Sequence, residues 1–136
     1  MPPTLDDAWA RAEWAHDALA ALTLALEDFR DDHPFAVTDE VDLPTLTRVI
    51  RAGRPNPPPP LVGLLFADLL GGLRAALDQA ACACVEAGGG IVNERHGFPI
   101  ATDEAAFEAA WRVELAGAST AAVDYVRSVQ PFGAAG

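Results

Sequence analysis

The chain has 136 residues, 51% of them hydrophobic, with nine basic and twenty acidic side chains and a net charge of −11. That length suits one domain with a single core, and that hydrophobic content excludes a disordered chain. The acidic balance counts against non-specific binding to nucleic acid or to an anionic membrane surface, since both draw on basic residues.

The N-terminus is acidic and amphipathic, not the basic and apolar leader of a secreted protein, so a cytoplasmic protein is expected. Thr4, Asp6 or Asp7 can cap a first helix that runs to about Arg30. Leu5, Trp9, Ala12, His16, Leu19, Leu22 or Thr23, Leu26 and Phe29 recur at helical spacing, which predicts one apolar stripe facing a core. Trp14 falls off that stripe and suits a helix edge or a partner chain. His16 reads as a hydrogen-bonded core residue, with a functional role as the alternative. Asp31-Asp32-His33-Pro34 ends the helix, because the residue before a proline avoids helical backbone angles.

Phe35 to Val41 and Leu46 to Ala52 are comparatively rich in Val, Thr, Ile and Phe, and predict a β-hairpin over about 35–52. Arg48, Arg51 and Arg54 form the basic cluster of the chain, expected to pair with the acid-rich segment from Asp31 to Asp42. Pro55-Asn56-Pro57-Pro58-Pro59-Pro60 is a stiff linker of polyproline type.

Leu61 to Glu86 is the longest apolar run, with proline before it and Gly88-Gly89-Gly90 after it, the punctuation of a helix. At about 100° per residue, Val62, Phe66, Leu69, Leu70, Leu73, Leu77, Ala80 and Cys84 share one face, the predicted core face. Asp68, Gly71, Gly72, Ala75, Gln79 and Cys82 lie opposite. That side is small, not strongly charged, and points to close approach by another backbone. The helix is therefore expected to be buried on both flanks, with Gly71, Gly72, Ala75 and Gln79 meeting either the rest of the bundle or a second chain across a dimer axis. The glycine pair costs about 1 kcal/mol per residue relative to alanine, which tight packing can offset. The run is long enough for a membrane span, but Asp68, Arg74, Asp78 and Gln79 count against one. Cys82 and Cys84 point about 200° apart on a helix, so they share neither a disulfide nor a metal and read as small apolar residues. No metal and no cofactor is expected.

Gly88 to Gly97 reads as a loop carrying Asn93, Glu94, Arg95 and His96, and Phe98-Pro99-Ile100 returns the chain to the core. Thr102 is the expected cap of a short helix with Ala105, Phe107 and Trp111. A last helix is predicted from about Leu115 to Val129, closed by Gln130-Pro131-Phe132. Ser119 and Ser128 sit in ordinary helical context, and the chain has no phosphate-binding glycine loop or zinc-protease histidine pair. The predicted fold class is mainly α: an up-and-down bundle of about four helices, with a long first helix, a buried central helix and a small β-hairpin insertion, in a single domain over 1–136.

The run Ala67-Asp68-Leu69-Leu70-Gly71-Gly72-Leu73-Arg74-Ala75-Ala76-Leu77-Asp78-Gln79 resembles the motif Gly-Asp-x-Leu-His-Asn-Leu-Arg-Ser-Ala-Leu-Asp-His of a family of uncharacterised bacterial proteins. The proline-rich approach, Phe98-Pro99-Ile100 and Gln130-Pro131-Phe132 look like that family's other landmarks. The motif is also similar to the Arg-x4–6-His signature of HEPN-type helical ribonucleases. That likeness implies a dimer in which arginine and histidine from two chains meet near the axis to cleave RNA. Here both histidine positions are lost, to Gly71 and Gln79, and the asparagine becomes Gly72, while Asp68, Arg74 and Asp78 remain. Glutamine cannot move a proton near neutral pH, as histidine does. Arg74 and Asp78 stand four apart and suit an intrahelical ion pair.

Three functions are compatible with these features. The first is a non-enzymatic helical module that forms a homodimer, or binds a protein partner, through Gly71, Gly72, Ala75 and Gln79. The second is a diverged HEPN-like ribonuclease or nucleotide-binding enzyme using Arg74, Asp78 and Asp68, with His16, His33 or His96 supplying the proton group. The third is a pocket for a small apolar molecule lined by Trp9, Phe66 and Trp111.

Overall fold

The computed structural model describes residues 4–32 and 35–134. His33 therefore lies outside the described residues. The elements in order are α1 (Leu5–Asp31), β1 (Val37–Asp42), β2 (Thr47–Ala52), α2 (Pro60–Ala87), α3 (Glu104–Glu114), α4 (Thr120–Ser128) and a closing 3-10 turn (Pro131–Ala134). The protein is mainly helical, with a small antiparallel hairpin, as its sequence predicts. Two compact units divide the chain: one holds α1 up to Ala15 and everything from Leu70 onward, the other holds His16–Leu69.

α1 opens with a reciprocal cap. Thr4 Oγ1 accepts from the Asp7 backbone N–H at 3.2 Å, and Asp7 Oδ2 accepts from the Thr4 N–H at 2.8 Å. Donation by the Thr4 backbone, with its hydroxyl adding to it, holds the Asp7 carboxyl below its ordinary value. α2 begins on Pro60, as the sequence predicts, and ends in a Schellman turn. Gly89 adopts a φ of 85°, the Gly90 N–H reaches Val85 O at 2.9 Å, and the Gly89 N–H reaches Glu86 O at 2.8 Å.

Two predicted boundaries shift. α3 is capped by Asp103, not Thr102: the Asp103 carboxylate accepts from the Ala106 N–H at 2.8 Å. The last helix begins at Thr120, not Leu115. Leu115 is instead the C-cap of α3, and Gly117 follows with a φ of 92°, which ends any helical run. Ser119 is the N-cap of α4, its Oγ accepting from the Ala122 N–H at 3.2 Å.

The core of the unit containing α3 and α4 is Phe107, Leu115, Val123 and Val126, with Ala81 from α2 and Ala101, flanked by Phe98, Trp111, Ala118 and Phe132. Phe107 and Phe132 meet edge to face at 6.2 Å between ring centres. Tyr125 and Val129 are exposed, while Val123 and Val126 are buried.

α2 overturns the expected core face. Its buried residues are Gly72, Ala76, Ala81, Cys82 and Val85. Phe66, Leu70 and Leu73 of the predicted core stripe are exposed, and Leu77 is at the border of exposure. α1 behaves in the same way: Ala8, Ala15, Ala18 and Leu22 are buried, while Leu5, Trp9, Leu19 and Leu26 are exposed. Both helices therefore pack on their small-residue edges. The reason is visible at Gly72, where a Cβ would stand 3.1 Å from the Ala15 Cβ. A leucine side chain does not fit at that separation, so the leucines point elsewhere.

A second close approach joins the end of α2 to the α3–α4 turn. A Cβ on Gly117 would lie 2.9 Å from Gly90 Cα, and one on Gly88 would lie 2.2 Å from Gly117 O. Gly117→Ala combines that clash with a left-handed φ and should cost about 2–3 kcal/mol of stability. Urea unfolding followed by circular dichroism checks this.

Candidate functional site

Arg74 and Asp78 form the expected ion pair on α2. Arg74 Nε donates to Asp78 Oδ2 at 2.9 Å, and a terminal guanidinium nitrogen stands 2.8 Å from Oδ1. The same Oδ1 accepts the Phe98 backbone N–H at 2.9 Å. Asp78 therefore ties the returning Phe98-Pro99-Ile100 segment to α2, and Arg74 neutralises the carboxylate that does so. Gly97 is the close neighbour, since a Cβ there would sit 3.0 Å from Asp78 Oδ1. These three residues form a structural latch.

The other landmark closes on the same segment. Gln130 is 1% exposed. Its Oε1 accepts from the Ala101 N–H at 2.9 Å, and its Nε2 donates to Pro99 O at 2.8 Å and Val126 O at 3.1 Å. One buried side chain thus joins Phe98-Pro99-Ile100 to Gln130-Pro131-Phe132. Nothing in the sequence marks that pairing beyond the presence of both motifs.

His96 uses both ring nitrogens on backbone. Nδ1 accepts from the Asn93 N–H at 2.9 Å, so Nε2 carries the hydrogen and faces Ala116 O at 3.0 Å. His16 is exposed on α1 instead of sitting in the core. Asp68 and Gly71 are exposed, and nothing lies within 4 Å of the position a Gly71 Cβ would take. Gly72 is filled from within the chain by Ala15. Ala75 and Gln79 are half-buried, and Gln79 Oε1 is enclosed without a hydrogen-bond partner. Among the described residues, no group of three or more His, Cys, Asp or Glu side chains could hold a metal ion.

Trp9 and Trp111 line different features. Phe66 is exposed, and Trp111 lines a shallow cleft with Glu108, Thr120, Asp124 and Arg127. Arg127 there pairs with Glu108, stands 3.1 Å from Glu104 and 3.6 Å from Asp124, and lies 5.3 Å above the Phe107 ring. Trp9 lines a different feature, an open apolar trough of 450 Å³ with Leu5, Ala8, Ala12, Leu73, Ala76, Leu77 and Ala80. Leu5, Trp9, Leu73 and Leu77 are the large side chains, and the alanines lie between them. The Trp9 indole N–H donates to Glu13 Oε1 at 3.1 Å, which satisfies its polar group and leaves the ring free to pack. The sequence showed every one of these residues, but the periodicity assigned the leucines and Trp9 to the core.

Comparison with known proteins found no matching family model, no matching curated protein and no matching solved structure.

Two outcomes follow from the local electrostatics. The Trp111 indole N–H donates to Glu108 at 3.1 Å, and Arg127 and Arg112 stand beside it, so its carboxyl is held below the ordinary value of 4.5. A depressed carboxyl contributes stability above its unfolded value and loses it as pH falls through the lower folded value. Glu108→Gln should therefore flatten the fall in melting temperature below about pH 4.5, measured by thermal scans across pH. Burial, with Asp78 and Glu86 adding to it, pushes the Cys82 thiol up. Cys82 is buried and Cys84 half-buried. Alkylation of the native protein by iodoacetamide at neutral pH should label Cys84 first, as read by peptide mass spectrometry.

Proposed function

We propose that the protein is a non-catalytic assembly module that forms a homodimer through the apolar trough between the start of α1 and the middle of α2. The observation that carries this reading is the reversed packing of the two helices: Ala15 and Gly72 are spent inside the chain, and the large side chains are left outside. Trp9 is 69% exposed and Leu5 63%. Leu73 and Leu77 line the trough beside them, at helical spacing.

The size of the patch supports a second copy as the occupant. A tryptophan exposed to that degree offers on the order of 150 Å². With Leu5, Leu73 and Leu77 the patch reaches about 400 Å², in the range where exposed apolar surface ordinarily has a function. Doubled across a two-fold axis it gives about 800 Å² of apolar surface, the scale of a small interface, to which the polar rim adds. The patch also carries ridges and hollows together. A two-fold contact needs this, because the same surface must supply both sides. Leu73 and Leu77 of one copy can lie over Ala12, Ala76 and Ala80 of the other.

The chemistry of the candidate reacting groups agrees with a non-catalytic role. Arg74 is committed to Asp78, and His96 to Asn93 and Ala116. α2 has the length and composition of a membrane span by sequence. The Arg74–Asp78 pair and its hold on Phe98 favour a protein neighbour over lipid.

Light scattering should give a dimer mass, or a multiple of it, for the natural chain. Leu73→Glu should weaken association at least 100-fold with the helical content retained, because Leu73 is already exposed. Three results would count against the proposal: a monomer at 100 µM, an unchanged mass for the variant, or binding of a monomer to neutral lipid vesicles. RNA cleavage abolished by Arg74→Ala would replace it with the nuclease reading.

A further inference from the structure

We infer that the outer edge of β2 is a second self-association surface, which pairs with β2 of another copy about a two-fold axis at Ile50. The inference is independent of the helical trough and rests on the hairpin alone.

The hairpin is anomalous as it stands. Every residue of both strands is exposed except Val49, which is half-buried. A two-stranded hairpin with neither face covered is marginal at best in water, and further strands are one way to stabilise it.

The register shows which backbone groups are free. Residues pair from Val37 with Ala52 to Asp42 with Thr47. One step beyond, the Gly53 N–H donates to Ala36 O at 2.7 Å, which makes that rung a hydrogen-bonded one. Hydrogen-bonded and open rungs alternate in an antiparallel pair. The backbone groups of Arg48, Ile50 and Ala52 therefore point away from β1, into the open edge. On the other edge the same holds for Val37, Asp39 and Val41.

Charge separates the two edges. Self-pairing of β1 in its fullest register sets Asp39 against Asp39, with Glu40 and Asp42 close by. Like charges directly opposite are destabilising, so this edge is protected against a copy of itself. Self-pairing of β2 centred on Ile50 sets Ile50 against Ile50, Arg48 against Ala52 and Arg51 against Val49. No like charges then face one another, and every outward group of Arg48, Ile50 and Ala52 finds a partner. A shift that centres the axis on Arg51 brings two arginines together and uses fewer of these groups. Arg48 and Asp39 offset each other within the hairpin, Nε donating to Oδ1 at 2.9 Å, which lessens like-charge repulsion on both edges and leaves Glu40 and Asp42 as the net charge of β1. Alone this two-fold contact closes on itself; used together with the helical trough it links dimers into a tetramer or a longer chain.

The test places single cysteines in the full chain with Cys82→Ala and Cys84→Ala. Ile50→Cys puts two sulfurs across the axis at a separation a disulfide spans. Mild oxidation should convert most of it to a covalent dimer, at a rate at least ten times that of Val37→Cys on the opposite strand. Equal rates for the two variants, or no covalent dimer from Ile50→Cys, overturn the inference. Circular dichroism of each reduced variant confirms that both are folded before oxidation. Adding Leu73→Glu should leave the Ile50→Cys cross-link in place, which separates this contact from the helical one.

Discussion

The approach of α1 to α2 at Ala15 and Gly72 is the constraint on which the helical architecture turns. A buried glycine facing an alanine brings the backbones closer than any larger pair allows. The saving in distance has a consequence for every neighbouring residue. With the seam made of Ala8, Ala15, Gly72 and Ala76, the large side chains nearest it, Leu5, Trp9, Leu73 and Leu77, lie to the side, while Leu22 and Val85 are buried elsewhere along the helices. Ordinary amphipathic helices bury their leucines and expose their small or polar face. Here the order is inverted, and the surface left behind is the one the proposed dimer would use. The glycine pair still has a helix-forming penalty, and close packing at Gly72 offsets it there; Gly71 faces open space.

A second set of contacts fixes the chain after α2. Asp78 holds Phe98, Gln130 holds Pro99 and Ala101, and Gly90 lies against Gly117. All of these engage backbone groups, so they position the chain regardless of the side chains that follow. Arg74 acts in this scheme as the counter-charge beside the half-buried Asp78 carboxylate. The pair that the motif likeness associates with chemistry is thus occupied with holding a loop. An arginine committed to a carboxylate on its own helix has fewer donors left for an external anion.

Much of the element order was legible in the residues. Pro60 and the Gly88–Gly90 run bracket α2 because proline fits a first turn and glycine a left-handed exit. The hairpin was legible from its β-branched residues, and the Arg74–Asp78 pair from its spacing. The cap of α3 was misplaced by one residue because Thr102 and Asp103 are equally good acceptors in sequence, and only backbone geometry chooses between them. The start of α4 was misplaced because Leu115 to Ser119 is apolar enough to continue a helix. Gly117 breaks it through a φ that the neighbouring Gly90 makes necessary. The bond of Gln130 to Ala101 spans 29 residues and leaves no local signal.

By itself the sequence determined a mainly helical chain, its order of elements, its termination signals and the acidity of its surface. These depend on local backbone preference and composition, which each stretch carries with it. Which side of α1 and α2 is buried was decided only by the tertiary structure. Periodicity reports that two faces differ; it does not report which one a neighbour can approach. In a helix with leucines on one side and glycine and alanine on the other, the distance of closest approach settles that choice, and distance is a property of the pair.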